Sequence, residues 1–119
     1  MDVLNKLKEV NEKRSIEGFG MKLEDWTLGE WGNAVAGETG EMCNVIKKIG
    51  RGDFDKSPEV AKQMLADEMA DVVIYLDLIA KRQGIDFGRA IISKFNEVSD
   101  RVGTSIKISD GKQLQQVRS

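Results

Sequence analysis

The chain has 119 residues, 40% of them apolar and 32% charged, with a formal net charge of −2. It is therefore one domain with material for a core, and it lacks the basic footprint of a duplex-binding protein. It contains no histidine and a single cysteine, Cys43, which excludes His-bound zinc, His-based triads, the Glu-x-x-His di-iron bundle and an internal disulfide framework.

Residues 2 to about 17 place Val3, Leu4, Leu7, Val10 and Ile16 among Lys and Glu, predicting a first amphipathic helix. Two glycines in "EGFGMKLEDW" break it. A second helix is predicted from about Leu28 to Ile49, stopping at "GRGD". Ser57 as N-cap, Pro58 in the first helical position and Glu59 in the first turn open a third helix, which runs to about Gln83 and ends at Gly84. Asp86 caps a fourth, with Phe87, Ile91, Phe95, Val98 and Val102 at core spacing and Gly103 closing it. The expectation is an all-α fold, a compact four-helix bundle, with residues 1–103 as a single helical domain and 104–119 as a C-terminal tail. No apolar run approaches a membrane span, and "MDVLNKLKEV" is not a signal peptide. A cytoplasmic protein with neither a membrane nor a nucleic acid duplex as partner is expected.

Placed at about 100° per residue, Ala61, Leu65, Met69, Val72, Leu76 and Ile79 form the core stripe of the third helix. Glu68 lies on its edge and Asp71 beside it, flanked by Met64, Tyr75 and Leu78, while Gln63, Asp67, Asp77 and Lys81 mark the solvent side. The second helix repeats the pattern. Leu28, Trp31, Val35, Met42, Ile46 and Ile49 make its apolar stripe, with Glu38 inside it and Glu41 at its border. One E-x-x-E pair alone reads as a solvated helix face. Two i, i+3 carboxylate pairs on adjacent helices, both on the apolar side, read as a site. Four gathered carboxylates cannot all ionise without a compensating cation, and an all-oxygen donor set selects a hard ion, Mg²⁺ or Mn²⁺.

Asn33, Gly37, Gly40 and Asn44 form a small and amide stripe beside Glu41, predicting close approach of another helix or of a nucleotide. "DFDKSPE" begins like a calcium loop, but Pro58 stands at the required glycine and Met64 at the required final glutamate. Lys48 suits a helix C-terminus and equally a phosphate. Lys94, Asn96 and Arg101 form a candidate phosphate clamp, and Trp26 and Trp31 are candidate base-stacking residues, with Trp31 also fitting the core. Cys43 reads as a packing residue.

At these residues the sequence resembles the all-α nucleoside triphosphate pyrophosphohydrolases of the MazG-like and dCTP pyrophosphatase group. The carrying text is "GETGE" at Glu38 and Glu41 and "DEMAD" at Glu68 and Asp71, within "NAVAGETGEMCNVIKK", "LADEMADVVIYLDLIAKRQGIDF" and "SKFNEVSDRVG". The likeness covers roughly residues 25 to 108. It implies Mg²⁺-dependent hydrolysis of (deoxy)nucleoside triphosphates to monophosphate and pyrophosphate, in a nucleotide-pool role. It implies that Glu38, Glu41, Glu68 and Asp71 hold the metal, with Glu41 or Glu38 acting on the attacking water. By the same resemblance Tyr75 faces sugar or base, Lys94, Arg101 and Lys48 face phosphates, and the protein forms a homodimer or homotetramer. Two departures stand out. Gly37 precedes Glu38 where many members double the glutamate, and Val98 stands where dCTP-selective relatives carry Asn. The rival readings are a non-catalytic helical adaptor for a basic partner, and a phosphohydrolase with different products.

Overall fold

A computed structural model describes residues 2–109 of the chain. Four α-helices follow one another, α1 (Asp2–Phe19), α2 (Leu28–Arg51), α3 (Pro58–Arg82) and α4 (Phe87–Arg101), with one 3-10 turn at Leu23–Asp25 between α1 and α2. The all-α, four-helix expectation holds, and no strand occurs among the described residues. Most of the predicted tail, residues 110–119, lies outside them.

Local chemistry sets the ends. Thr27 Oγ1 accepts from the Glu30 amide at 3.1 Å while the Glu30 carboxylate accepts from the Thr27 amide at 3.0 Å, a reciprocal box that starts α2. Ser57 and Asp86 accept from the amides of Val60 and Arg89, both at 3.2 Å, to start α3 and α4. Gly52, at φ 73°, ends α2 in the left-handed region, where a Cβ would be strained.

α2 and α3 form an antiparallel pair with the largest interface of the molecule. Trp31, fully buried early in α2, packs with Leu78 late in α3 and with Leu23 of the 3-10 turn. Met21, Trp26, Tyr75 and Ile79 surround this cluster. Further along, Val45 of α2 and Ala61 of α3 are buried.

α1 lies across α3 and corrects one sequence-based expectation. Asp77, assigned to the solvent side of α3, is only 4% exposed. Asn11 of α1, 3% exposed, donates through Nδ2 both to Asp77 Oδ2 and to the Ile74 carbonyl, each at 3.0 Å. A carboxylate loses its water there because another helix covers it and supplies a donor. Conversely Met69, placed in the core stripe, is 53% exposed.

The packing is more open than that of a compact bundle. α4 packs on α1 rather than filling a corner against α2 and α3. The radius of gyration is 17.7 Å, against about 13–14 Å for a compact domain of this length. Apolar side chains remain exposed on α2 (Ile46, Ile49), α3 (Val60, Met69) and α4 (Phe95). A Cβ built on Gly37 or Gly40 meets nothing within 4 Å, so the small stripe is not used for close helix packing among the described residues. No helix among them is long and apolar enough to cross a membrane.

Candidate active site

The antiparallel register of α2 and α3 sets the two carboxylate pairs opposite one another. Glu38, Glu41 and Glu68 each offer a carboxylate oxygen, and these oxygens lie within 4.8 Å of one another. Asp71, one turn beyond Glu68 on α3, is close enough for its charge to act on Glu38, Glu68 and Tyr75. Helix geometry makes this arrangement: an i, i+3 spacing puts both carboxylates of a pair on one face, and the paired helices turn those faces toward each other.

The electrostatics are unfavourable for bare carboxylates. Burial, followed by the charges of Glu41, Asp71 and Glu68, pushes the Glu38 carboxyl above its ordinary value of 4.5. Burial, then Glu41 and Asp71, raises Glu68 in the same way. Oε2 of Glu68 is shielded from solvent and has no hydrogen-bond partner among the described residues. A shielded oxygen without a donor, inside an all-carboxylate group, is the arrangement that a hard divalent cation satisfies. The residues present therefore fit a metal ion.

A cavity of about 400 Å³ opens beside the cluster. Glu38 and Asp71 form the wall nearest the acids, and Trp26, Trp31 and Tyr75 form an aromatic wall. The Trp26 and Trp31 ring centroids are 4.7 Å apart at 60°, and those of Trp31 and Tyr75 are 6.2 Å apart at 61°. Trp31 thus serves core and cavity together, its indole N–H donating to the Leu23 carbonyl at 2.9 Å. Burial, then the charges of Glu38, Asp71 and Glu41, pushes the Tyr75 phenol up, so its O–H stays a donor beside the acids.

The other sequence-derived candidates lie elsewhere. Lys48 is two turns beyond Glu41 on the same face of α2, lining a separate hollow with Asp53, Phe54 and Met64. Asn33 is exposed on α2 and does not line the 400 Å³ cavity. Lys94, Asn96 and Arg101 sit on α4 and do not line it either. Lys94 pairs with Glu97 at 3.2 Å. Asn96 anchors the chain after α4, its Oδ1 accepting from the Ile108 amide at 2.8 Å and its Nδ2 donating to the Ile108 carbonyl at 2.9 Å.

Sequence reasoning missed the contribution of α1. Asn11, Arg14, Ser15 and Phe19 line the cavity. The available signal was polar residues at i, i+4 (Asn11 and Ser15) inside an otherwise charged helix, a pattern indistinguishable from a wet face until the partner helix is known. Arg82 was also missed. It donates from Nε to the Leu23 carbonyl and from a terminal nitrogen to the Trp26 carbonyl, both at 3.2 Å, fixing the segment that carries the aromatic wall.

With an all-α fold and facing acidic pairs in hand, comparison with known proteins gives the class. The chain belongs to the MazG nucleotide pyrophosphohydrolase family, whose domain model matches residues 28–103. Among curated proteins it is similar to dCTP pyrophosphatase 1 of Rattus norvegicus, at 33% identity over 67 residues. That match covers 53% of this chain and 38% of the relative, so it spans well under half of the relative's length. No solved structure matches.

Proposed function

We propose that the protein hydrolyses nucleoside triphosphates, deoxynucleotides included, to monophosphate and pyrophosphate with Mg²⁺ as cofactor. The observation that carries this reading is the juxtaposition of the unpartnered Glu68 oxygen and its carboxylate neighbours with an aromatic-walled cavity of nucleoside size. Family membership and the name of the rat relative support it.

Glu38, Glu41, Glu68 and Asp71 would hold the metal. When bound, Mg²⁺ supplies neutralisation of the triphosphate oxygens that the acids alone would repel. Trp26 and Tyr75, backed by the buried Trp31, hold the sugar and base in the cavity, which sets the phosphate chain against the acids. Glu41, the exposed member of the three-glutamate group, orients the attacking water and accepts its proton. The water oxygen bonds to the α-phosphorus as the bond from that phosphorus to the bridging oxygen breaks, and pyrophosphate leaves. The exposed apolar side chains of α2, α3 and α4 support a homo-oligomer. Light scattering should then give a mass at least twice the 13.3 kDa of one chain.

The test is product analysis by ³¹P NMR after incubation with each dNTP and NTP in Mg²⁺, with Glu41→Gln as control. Monophosphate plus pyrophosphate, lost in the variant, is the expected result. Inorganic phosphate as product would point to a different phosphohydrolase. No turnover with Mg²⁺ or Mn²⁺ would leave the adaptor reading.

A further inference from the structure

The cavity has a polar end that the acids do not explain. Asn11 is 97% buried yet lines the cavity, and both of its donor hydrogens are committed elsewhere, to Asp77 Oδ2 and the Ile74 carbonyl. Those partners accept, so the amide nitrogen faces them and the amide oxygen is turned away. That oxygen has no partner among the described residues, and it is not one of the atoms shielded from solvent. The cavity is the opening that Asn11 lines. One turn on, Ser15 Oγ donates to the Met21 carbonyl at 2.9 Å, which likewise leaves only acceptor capacity for a ligand. Two neighbouring buried groups of α1 thus present acceptors, while Arg14, the cation lining the cavity, is exposed at its rim.

We propose that Asn11 reads the base, held by Asp77 with its carbonyl oxygen toward the ligand. With Ser15 it selects nucleotides whose base carries an amine at pyrimidine C4 or purine C6, cytosine or adenine, over those with a carbonyl at that position, uracil or thymine. An exocyclic amine offers two hydrogens to two acceptors. A ring carbonyl in the same place sets lone pairs against lone pairs and leaves Asn11 unsatisfied. Asp77 is a positioning residue, since it acts through Asn11. Both residues precede or lie apart from the acids, and Asn11 is outside the family-matched residues 28–103. The inference rests on the reading of this cavity as a nucleotide pocket.

The experiment titrates the protein with dCMP, dAMP, dUMP and dTMP while following tryptophan fluorescence, because Trp26 and Trp31 line the cavity. Triphosphate turnover is measured in parallel. Expected is at least about tenfold tighter binding of the two amino-bearing nucleotides. In Asp77→Asn, whose amide can donate to Asn11 and release its fixed sense, the preference should fall toward one. Asn11→Ser, with a rotatable hydroxyl, should lose it too. Equal or reversed affinities in the wild-type protein, no binding of any of the four, or an unchanged preference in a folded Asp77→Asn would overturn the proposal. The wild-type comparison decides even if a variant fails to fold. Base preference without triphosphate hydrolysis would sink the hydrolase reading alone, and hydrolysis without base preference would sink this inference alone.

Discussion

Trp31, at the start of α2, and Arg82, at the end of the antiparallel α3, donate to one acceptor, the Leu23 carbonyl oxygen, at 2.9 and 3.2 Å. A carbonyl has two lone pairs, so both donors are accommodated, and the 3-10 turn is fastened to both long helices at one atom. The aromatic wall is therefore built on a clamp, and its rigidity is open to test.

Replacing Trp31 with Phe removes the indole donor but leaves Arg82 on the Leu23 carbonyl. The expected cost is about 1–3 kcal/mol, and Trp31→Ala should cost about 3–5 kcal/mol. Urea unfolding checks this through a lower midpoint at unchanged slope.

Stability should depend on pH with a definite sign. The Glu38 and Glu68 carboxyls are raised above 4.5 in the folded protein, so the native state holds protons that the unfolded chain releases. Their contribution in metal-free protein is full below about 4.5 and is lost as pH rises through the raised folded values. The melting temperature in EDTA should fall as pH climbs through that window, and Mg²⁺ should restore it near neutrality. Glu68→Gln should flatten the pH dependence and weaken the Mg²⁺ response. An acid-labile apoprotein that is stabilised by rising pH would contradict the site.

Tyr75 joins the aromatic wall to the acids. Tyr75→Ala should raise KM about tenfold or more with a smaller change in kcat, because it removes binding surface rather than an acid. Tyr75→Phe keeps the edge contact with Trp31, and it should be much milder unless the O–H holds the sugar. Steady-state kinetics on the preferred triphosphate separate the two cases.

Asn96 is expected to hold the segment that follows α4. Asn96→Ala deletes two hydrogen bonds to Ile108. Amide exchange at Ile108 should accelerate at least about tenfold, as expected where a local opening becomes about 1.4 kcal/mol easier. Protection that does not change would show that other contacts hold residues 104–109.

The helices and the acids were legible because their determinants are local. Ser57–Pro58–Glu59, Asp86, Gly84 and Gly103 each act within a turn, and the observed α3 and α4 begin and end within a residue or two of those signals. Glu38, Glu41, Glu68 and Asp71 stood out because two pairs shared one spacing and one side. Asp77 misled because its burial comes from α1, a helix distant in sequence whose own pattern does not say which face of α3 it will cover. Asn11 and Ser15 went unread for the same reason. The openness of the packing was equally hidden, since helical periodicity records which face is apolar and not what will cover it.

The family-matched stretch starts at residue 28, yet the floor of the cavity comes from α1, ahead of it. On the proposed reading, the acids lie within the matched stretch and Asn11 and Ser15 ahead of it, joined by the segment that Leu23 and Trp26 pin to Arg82. In such a layout the leading helix can diverge, and under the proposed function the accepted base can change with it, while the facing acidic pairs stay as they are.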